Sequence, residues 1–338
     1  MESSGVRTLG VTWGRLSCAS VRLQGDMMKV LGTLLRLFLN WTIINRFFEK
    51  WGAGKPLVRE GVTPLDQMLD DAAAAGKPLR VMWVAAHPDD ESFLGSVLAK
   101  ASLKCKGPLH LVVLTHGEGG ETGKLPEVEE KGLAEVRRSE LDEVVKLYNA
   151  TLSIRRYFNA SLPTDSFPYR HDLAAMWAKD GDPATYIANE IRAFRPDVVL
   201  TFSPKYGATG HPEHQLASRF TTQAIRMAAD ANSELEGEPH TVQHTYYMLA
   251  KYWLLRIGQM KPDPLPYTET FDLRQPCVDG RRCVDVMADN TRPHRTQNND
   301  MALMRTVNQV FYKQYLHKCD PFTEMEDPYE EWNVRGMG

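Results

Sequence analysis

The sequence predicts an α/β fold, a Rossmann-like three-layer sandwich with a mostly parallel central sheet. Two observations predict this class. Short, nearly continuous apolar runs, typical of strands buried on both faces, alternate with segments of helical periodicity. Clusters of histidine and carboxylate residues directly follow two of these runs, and open α/β folds bind ligands at the carboxyl ends of their strands. The 338 residues are 43% apolar and 25% charged, as in globular proteins with a full core.

The predicted strands are short apolar runs that polar segments separate. They lie at Leu79–Ala85, Leu109–Thr115, Leu152–Phe158, Pro196–Phe202 and Val242–Leu249. The segments between them have helical periodicity, which predicts helices at Ser92–Ala101, Glu129–Leu147, Pro183–Phe194 and Pro212–Asp230. We expect long loops, which would shape substrate choice, at Pro163–Asp182 and Arg256–Asp272, and a polar tail at Asp320–Gly338.

The N-terminal region differs in charge from the rest of the chain. Residues 1–51 contain seven basic and three acidic residues, a net +4, whereas the whole chain carries −3 and the remainder therefore −7. Residues 29–51 have the pattern of an amphipathic helix, but Arg36 and Asn40 interrupt it, so a buried transmembrane span is not expected. This helix either lies on a membrane surface or packs on the protein's own core.

Two regions are predicted from this change in composition. Residues 1–52 form a basic leader with the amphipathic helix, and residues 53–338 form the α/β domain. Residues 1–26 are either a targeting leader or lie ahead of a start at Met27-Met28.

The overall charge and the cysteine count restrict partners and location. A net charge of −3 without a basic stripe argues against a nucleic-acid partner. Five cysteines, an odd number and mostly far apart, favour a reducing compartment over a disulfide framework. We therefore expect a cytoplasmic protein, with peripheral membrane association if residues 29–51 bind lipid.

Two motifs carry the chemistry, and each follows a predicted strand. The first is Ala-His-Pro-Asp-Asp-Glu at residues 86–91, and the second is Gly-His-Pro-Glu-His at residues 210–214. His87 and Asp90 share one side of a helical turn, because residues three apart are neighbours there. Imidazole and carboxylate suit Zn²⁺, and His214 can be the third ligand, which leaves one position for water. The same set also accepts Fe²⁺ or Co²⁺.

The neighbouring residues suit the other steps of a metal-assisted hydrolysis. A metal in this site would lower the pKa of its water to about 7. Asp89 could take the water proton as general base. His211 could stay protonated and face the oxyanion, or give a proton to the leaving amine. Alone, the first motif could be a helix N-cap, but paired clusters at equivalent strand ends favour the metal site.

Together these motifs resemble those of the PIG-L/LmbE family of zinc-dependent N-acetylglucosaminyl deacetylases. The resemblance extends over roughly residues 78–316, so it implies a deacetylase domain within residues 53–338. The roles that it implies are metal ligands at His87, Asp90 and His214, the base at Asp89 and the electrostatic partner at His211.

The resemblance also implies residues that bind substrate. Glu118 lies in a turn similar to the family's Gly/Glu loop, and Arg137 matches the arginine of its Arg-x-x-Glu helix, which contacts substrate. Asp165 ends a stretch similar to a weaker Leu-x-x-Asp element. The segment His294–Gln297 resembles a C-terminal His-x-Ser/Thr-Gln motif.

We therefore expect a hydrolase that removes the N-acetyl group from a conjugate of N-acetylglucosamine (GlcNAc), with metal-bound water as nucleophile. The partner would be a small-molecule conjugate or a glycolipid, and the group joined to the sugar could be lipid, inositol or peptide. Alternatives are a hydrolase of another amide or a non-catalytic, membrane-associated metal-binding scaffold of the same fold. Two histidines and a carboxylate also form the facial triad of non-haem iron oxygenases, but Asp89 and His211 favour hydrolysis.

Overall fold

The structure is a computed structural model that describes residues 53–57, 61–121, 125–251 and 263–333. The predicted leader and the amphipathic helix at residues 29–51 lie outside the described residues. Among the described segments, no helix combines the length and the apolar character that crossing a membrane requires.

A seven-stranded sheet forms the centre of the fold. Its strands are β1 (Val81–Ala85), β2 (Leu109–Val113), β3 (Thr151–Ile154), β4 (Val198–Phe202), β5 (His244–Leu249), β6 (Glu269–Asp272) and β7 (Lys313–Cys319). Their order across the sheet is β3-β2-β1-β4-β5-β7-β6. The first five strands in sequence are parallel, whereas β7 is antiparallel to β5 and β6. The predicted Rossmann-like, mostly parallel architecture is confirmed.

Helices cover both faces of this sheet. They are α1 (Leu65–Ala74), α2 (Gly95–Ala99), α3 (Pro126–Lys131), α4 (Leu133–Leu147), α5 (Arg170–Lys179), α6 (Pro183–Phe194), α7 (Gly207–Gly210), α8 (Pro212–Ala229), α9 (Cys283–Asn290) and α10 (Asn298–Val310). A 3-10 turn at Asp90–Phe93 precedes α2, and a π-helical turn at Lys100–Lys104 follows it.

The position of β1 inside the sheet explains why its sequence is apolar throughout. Val81, Trp83 and Ala85 belong to the core that includes side chains of α2 and α9. Met82 and Val84 belong to the core on the other face, with side chains of α6 and α8. A strand with a helical layer on each side has no polar face, so its sequence does not alternate.

Two predictions of local structure are wrong. Glu129–Leu147 is not one helix, because Gly132 adopts a φ of 85° between α3 and α4. Pro163–Asp182 is not a loop, because it contains α5, whose Trp177 is fully buried and donates from Nε1 to the carbonyl of Phe158 at 2.7 Å. Its periodicity is weak because a charged residue, Arg170, shares the buried face with Leu173, Ala174 and Trp177.

The described part of the predicted polar tail, residues 320–333, contacts the domain. Glu330 accepts hydrogen bonds from Arg219 Nη1 at 2.8 Å and from Arg170 Nη2 at 3.2 Å. Both arginines are buried, so these ion pairs hold the segment against α5 and α8. The predicted loop Arg256–Asp272 ends in β6, and residues 252–262 lie outside the described residues.

Candidate functional site

The two histidine motifs meet at the carboxyl edge of the sheet, between the neighbouring strands β1 and β4. At this point the strand order reverses, since β2 lies on one side of the pair and β5 on the other. His87 follows β1 by two residues, whereas His211 and His214 stand at the start of α8 after β4. Adjacent parallel strands therefore bring together two histidines, His87 and His214, that are 127 positions apart.

Asp90 is held by the backbone at the end of β1. Its Oδ2 accepts hydrogen bonds from the amides of Ala86 at 3.0 Å and His87 at 2.8 Å. Its Oδ1 lies 3.0 Å from Nε2 of His214. Burial opposes ionisation, but His214 and His87 hold the pKa of Asp90 well below its ordinary value. The carboxyl group is therefore ionised, with Oδ1 near His214 and Oδ2 near His87.

His214 has a defined tautomer and a fixed ring. Its Nδ1 donates to the carbonyl oxygen of Gly207 at 2.8 Å, so Nε2 is the nitrogen that faces Asp90. The ring stacks on Phe202 at a centroid distance of 4.3 Å. Gly207 has a φ of 59°, and a Cβ there would lie 2.8 Å from the Cβ of His214. Glycine at this position therefore permits the close approach.

His87 lies between His214 and the buried carboxylate of Glu213. Its Nδ1 is 3.1 Å from Nε2 of His214, while its Nε2 donates to Oε2 of Glu213. Glu213 is fully buried and also accepts from Asn159 Nδ2 and from the amide of Ala160, both at 2.7 Å. Burial disfavours the charged imidazole, but Asp90 and Glu213 raise the pKa of His87 to about 10.

The three predicted ligands present donor atoms at distances that suit a divalent metal. The separations are 3.1 Å between His87 Nδ1 and His214 Nε2, 3.0 Å between His214 Nε2 and Asp90 Oδ1, and 3.5 Å between His87 Nδ1 and Asp90 Oδ2. Two ligands at about 2.1 Å from a tetrahedral metal are about 3.4 Å apart. These residues therefore fit a metal of the type predicted.

His211 lies beside His87 and His214, and the three rings form a histidine cluster. Its ring, with those of His87 and His214, offers nitrogen atoms that all lie within 4.8 Å of one another, an arrangement that could hold a metal ion. Burial, together with His214 and His87, holds the pKa of His211 well below its ordinary value. Its Nδ1 accepts from the amide of Glu213 at 3.3 Å, so the proton of the neutral ring is on Nε2. This favours a neutral hydrogen-bond donor rather than a protonated His211.

Asp89 lies next to the ligand Asp90 in the chain and has an unusual backbone. Its φ is 99°, a left-handed conformation that non-glycine residues seldom adopt. Its Oδ2 accepts from Arg137 Nη2 at 2.7 Å. Burial raises the pKa of Asp89 to about 6, with Asp90 adding to the shift and Arg137 opposing it. A pKa in this range suits a general base near neutral pH.

Arg137 donates hydrogen bonds to the first motif and to the turn at Gly117. Besides Asp89, its guanidinium donates to the carbonyls of Gly117 at 2.9 Å and Pro88 at 2.5 Å. The side chain is buried, and a Cβ on Gly117 would lie 2.3 Å from Nη1. The resemblance implied that Arg137 contacts substrate, whereas in this structure its hydrogen bonds hold the loop that carries Asp89.

The other two predicted substrate residues lie apart from these contacts. Glu118 lies 3.7 Å from Arg156, and its buried Oε2 has no hydrogen-bond partner among the described residues. Asp165 is exposed in a 3-10 turn at Thr164–Ser166. Within the described parts of the chain, no hydrogen bond joins either carboxylate to the histidine cluster.

Several residues of the site were missed by sequence reasoning. Glu213 and Glu91 lie inside the two motifs, and this position was the signal that could have identified them. Glu140 accepts from the amide and the hydroxyl of Thr296 at 2.9 and 2.6 Å, joining two of the weaker motifs. Asn159 belongs to no motif, so only the structure connects it with Glu213.

Glu213→Gln is expected to weaken metal binding about 10–100-fold, because carboxylates that orient a ligating histidine have effects of this size. The amide keeps the shape but loses the charge opposite His87 Nε2. Metal affinity should be measured by competition with a chelator. Glu190→Gln is the matched control, since Glu190 accepts from another buried histidine, His110, at 3.2 Å. Equal affinity in wild type and Glu213→Gln would contradict this role.

Comparison with known proteins supports the resemblance. Residues 82–225 match the model of the PIG-L family, described as GlcNAc-PI de-N-acetylase. An enzyme of Thermobifida fusca named 1D-myo-inositol 2-acetamido-2-deoxy-alpha-D-glucopyranoside deacetylase is 30% identical over 281 residues, which are 74% of this chain and 93% of that protein. An enzyme of the same name from Thermomonospora curvata is 32% identical over 244 residues, 64% of this chain and 80% of that protein.

A solved structure shares the fold. N,N'-diacetylchitobiose deacetylase from Pyrococcus horikoshii superposes with a TM-score of 0.51 at 14% sequence identity, covering 80% of this chain and 99% of that one. At this identity the likeness concerns the fold alone. The matching family model, the relative covering most of the chain and the two motifs at the sheet edge agree: this chain belongs to the PIG-L family.

Proposed function

We propose that this protein removes the N-acetyl group from a conjugate of GlcNAc by metal-dependent hydrolysis, releasing acetate and a free amine. Membership of the PIG-L family supports the reaction class. One observation carries the proposal: the side chains of His87, Asp90 and His214 converge, while the adjacent carboxylate of Asp89 pairs with Arg137. This separates the groups that hold a metal from the group that moves a proton.

In this site the metal would be held by His87 Nδ1, Asp90 Oδ1 and His214 Nε2. When bound, it would supply a Lewis acid that makes water more acidic and polarises the acetyl carbonyl. We propose zinc on the basis of the nitrogen and oxygen donors, and Fe²⁺ or Co²⁺ suit the same set. Glu213 fixes the tautomer of His87, which keeps Nδ1 directed at His214.

The remaining side chains transfer the proton and stabilise the negative charge that develops. Asp89 takes a proton from the attacking water and returns it to the nitrogen that leaves as the amine. Arg137 keeps Asp89 ionised and oriented through its hydrogen bond of 2.7 Å. His211, neutral and protonated on Nε2, donates a hydrogen bond to the oxygen of the acetyl group as negative charge develops there.

The proposed substrate is a small-molecule conjugate of GlcNAc. The relatives in Thermobifida fusca and Thermomonospora curvata are named for an inositol-linked sugar, which makes this conjugate the first to test. A glycolipid is the second, because residues 29–51 have the pattern of an interfacial helix. We place the protein in the cytoplasm, in keeping with four described cysteines that are all free thiols.

The proposal is tested by measuring metal content and acetate release on the same preparation. The substrates are GlcNAc, GlcNAc-inositol, GlcNAc-phosphatidylinositol and N,N'-diacetylchitobiose, each with and without chelator. We expect about one metal per chain, acetate release that the chelator abolishes, and recovery on adding Zn²⁺, Fe²⁺ or Co²⁺, with the best metal identifying the cofactor. Absence of bound metal after reloading would overturn the proposal, as would acetate release that a chelator leaves unchanged.

A further inference from the structure

A buried histidine–glutamate pair lies behind the first motif. His294 and Glu91 are 203 positions apart, and their side chains are 0% and 2% exposed. His294 Nε2 and Glu91 Oε1 are 2.6 Å apart. Neither residue belongs to the histidine cluster or to the proton transfers described above. A buried pair of this kind is costly to desolvate, so its retention calls for a physical explanation.

The second oxygen of Glu91 points to that explanation. Oε2 of Glu91 accepts a hydrogen bond from the backbone amide of Asp89 at 3.1 Å. The φ of Asp89 is 99°, and a conformation of this kind persists only where surrounding contacts hold it. His294 binds one oxygen of Glu91, which directs the other oxygen towards the Asp89 amide.

The segment His294–Gln297 also contacts the helix that holds the side chain of Asp89. Two residues after His294, Thr296 donates from its amide and hydroxyl to Glu140 on α4. Arg137, one turn earlier on α4, donates to Oδ2 of Asp89. The segment therefore contacts both the group that holds the backbone of Asp89 and the helix that holds its carboxylate.

We propose that Glu91 and His294 are positioning residues that hold Asp89 in its left-handed conformation, so that its carboxylate meets the attacking water. The proposal rests on the proposed function in taking Asp89 as the base. It assigns the C-terminal His-x-Thr-Gln motif to turnover and not to metal binding, because His294 contacts Glu91 and lies outside the group of described histidines that could hold a metal. Loss of the pair should lower kcat and leave KM and metal content unchanged.

The test compares His294→Leu with His294→Gln. Leucine fills the space without a donor, whereas the amide nitrogen of glutamine can replace Nε2 as donor to Glu91. We expect kcat to fall about 10–100-fold in His294→Leu, as for other residues that orient a catalytic group, and glutamine to restore most of it. Hydrogen exchange of the peptide spanning residues 86–93 should be faster in His294→Leu and near wild type in His294→Gln.

His317→Leu is the matched control. His317 is another buried histidine bound to a glutamate, with Nε2 at 2.7 Å from Oε2 of Glu324, but it lies on β7 away from the first motif. Equal loss of kcat in His317→Leu and His294→Leu would overturn the proposal, as would loss of metal in His294→Leu. If wild type releases no acetate, the proposed function fails, yet unchanged exchange of residues 86–93 in His294→Leu would still refute the positioning role.

Discussion

Asp89→Asn is expected to lower kcat by about 10²–10⁴-fold while the metal stays bound, because the variant removes the general base and leaves the three ligands in place. The amide oxygen can still accept from Arg137 Nη2, which lies 2.7 Å from the carboxylate in the native chain. The left-handed backbone suits asparagine as well as aspartate. The fold and the loop should therefore persist, so that the loss reports proton transfer. Metal content, Tm and kcat measured on one preparation check this.

Asp89→Ala provides a second measurement on the same position. It should be equally inactive but less stable, because it leaves the buried guanidinium of Arg137 without its carboxylate partner. Asp142→Asn is the matched control, since Asp142 pairs with Arg138 in a partly exposed ion pair on the same helix. Retained kcat in Asp89→Asn would show that another group takes the proton. An Asp89→Asn variant that loses kcat but keeps full function in cells would favour the scaffold alternative.

His87→Ala and His214→Ala are expected to abolish metal binding and with it activity, on the order of 10³-fold or more in kcat/KM. Each variant removes a ring nitrogen that lies 3.1 Å from the other histidine and 3.0 or 3.5 Å from an oxygen of Asp90. Elemental analysis after dialysis and acetate release at substrate concentrations below KM measure the two effects. His110→Ala, which removes a buried histidine bound to Glu190, controls for loss of a buried imidazole.

The dependence of metal affinity on pH tests the same ligands. Asp90 and Glu213 raise the pKa of His87 to about 10, so in neutral solution a proton and the metal compete for this ring. A ligand with a raised pKa gives up its proton more readily as pH rises, so affinity should increase with pH. We expect about a tenfold gain in metal affinity per pH unit between pH 6 and 8 for one displaced proton.

Equal metal loss in Asp89→Asn and His87→Ala would overturn the division between base and ligands.

Sequence reasoning was most successful where chemistry and periodicity are local. The apolar run of β1 and the motif behind it predicted the strand, the turn and the candidate ligands His87 and Asp90. It was least successful for α5, where buried Arg170 takes a place that a pattern of apolar residues would need. It also missed β6 and β7, which pair antiparallel and have a mixed polar pattern; β6 is in addition an edge strand.

By itself, the sequence determined the fold class, the family and the two motifs, because strand burial and ligand type are encoded in residue identity at short range. Only the tertiary structure decided how Glu213, Arg137 and His294 are used, because each acts on a residue at least 48 positions away in the chain. The same applies to the neutral state of His211, which depends on burial beside two other histidines. Hydrogen-bond direction and desolvation arise only from packing, so no local pattern contains them.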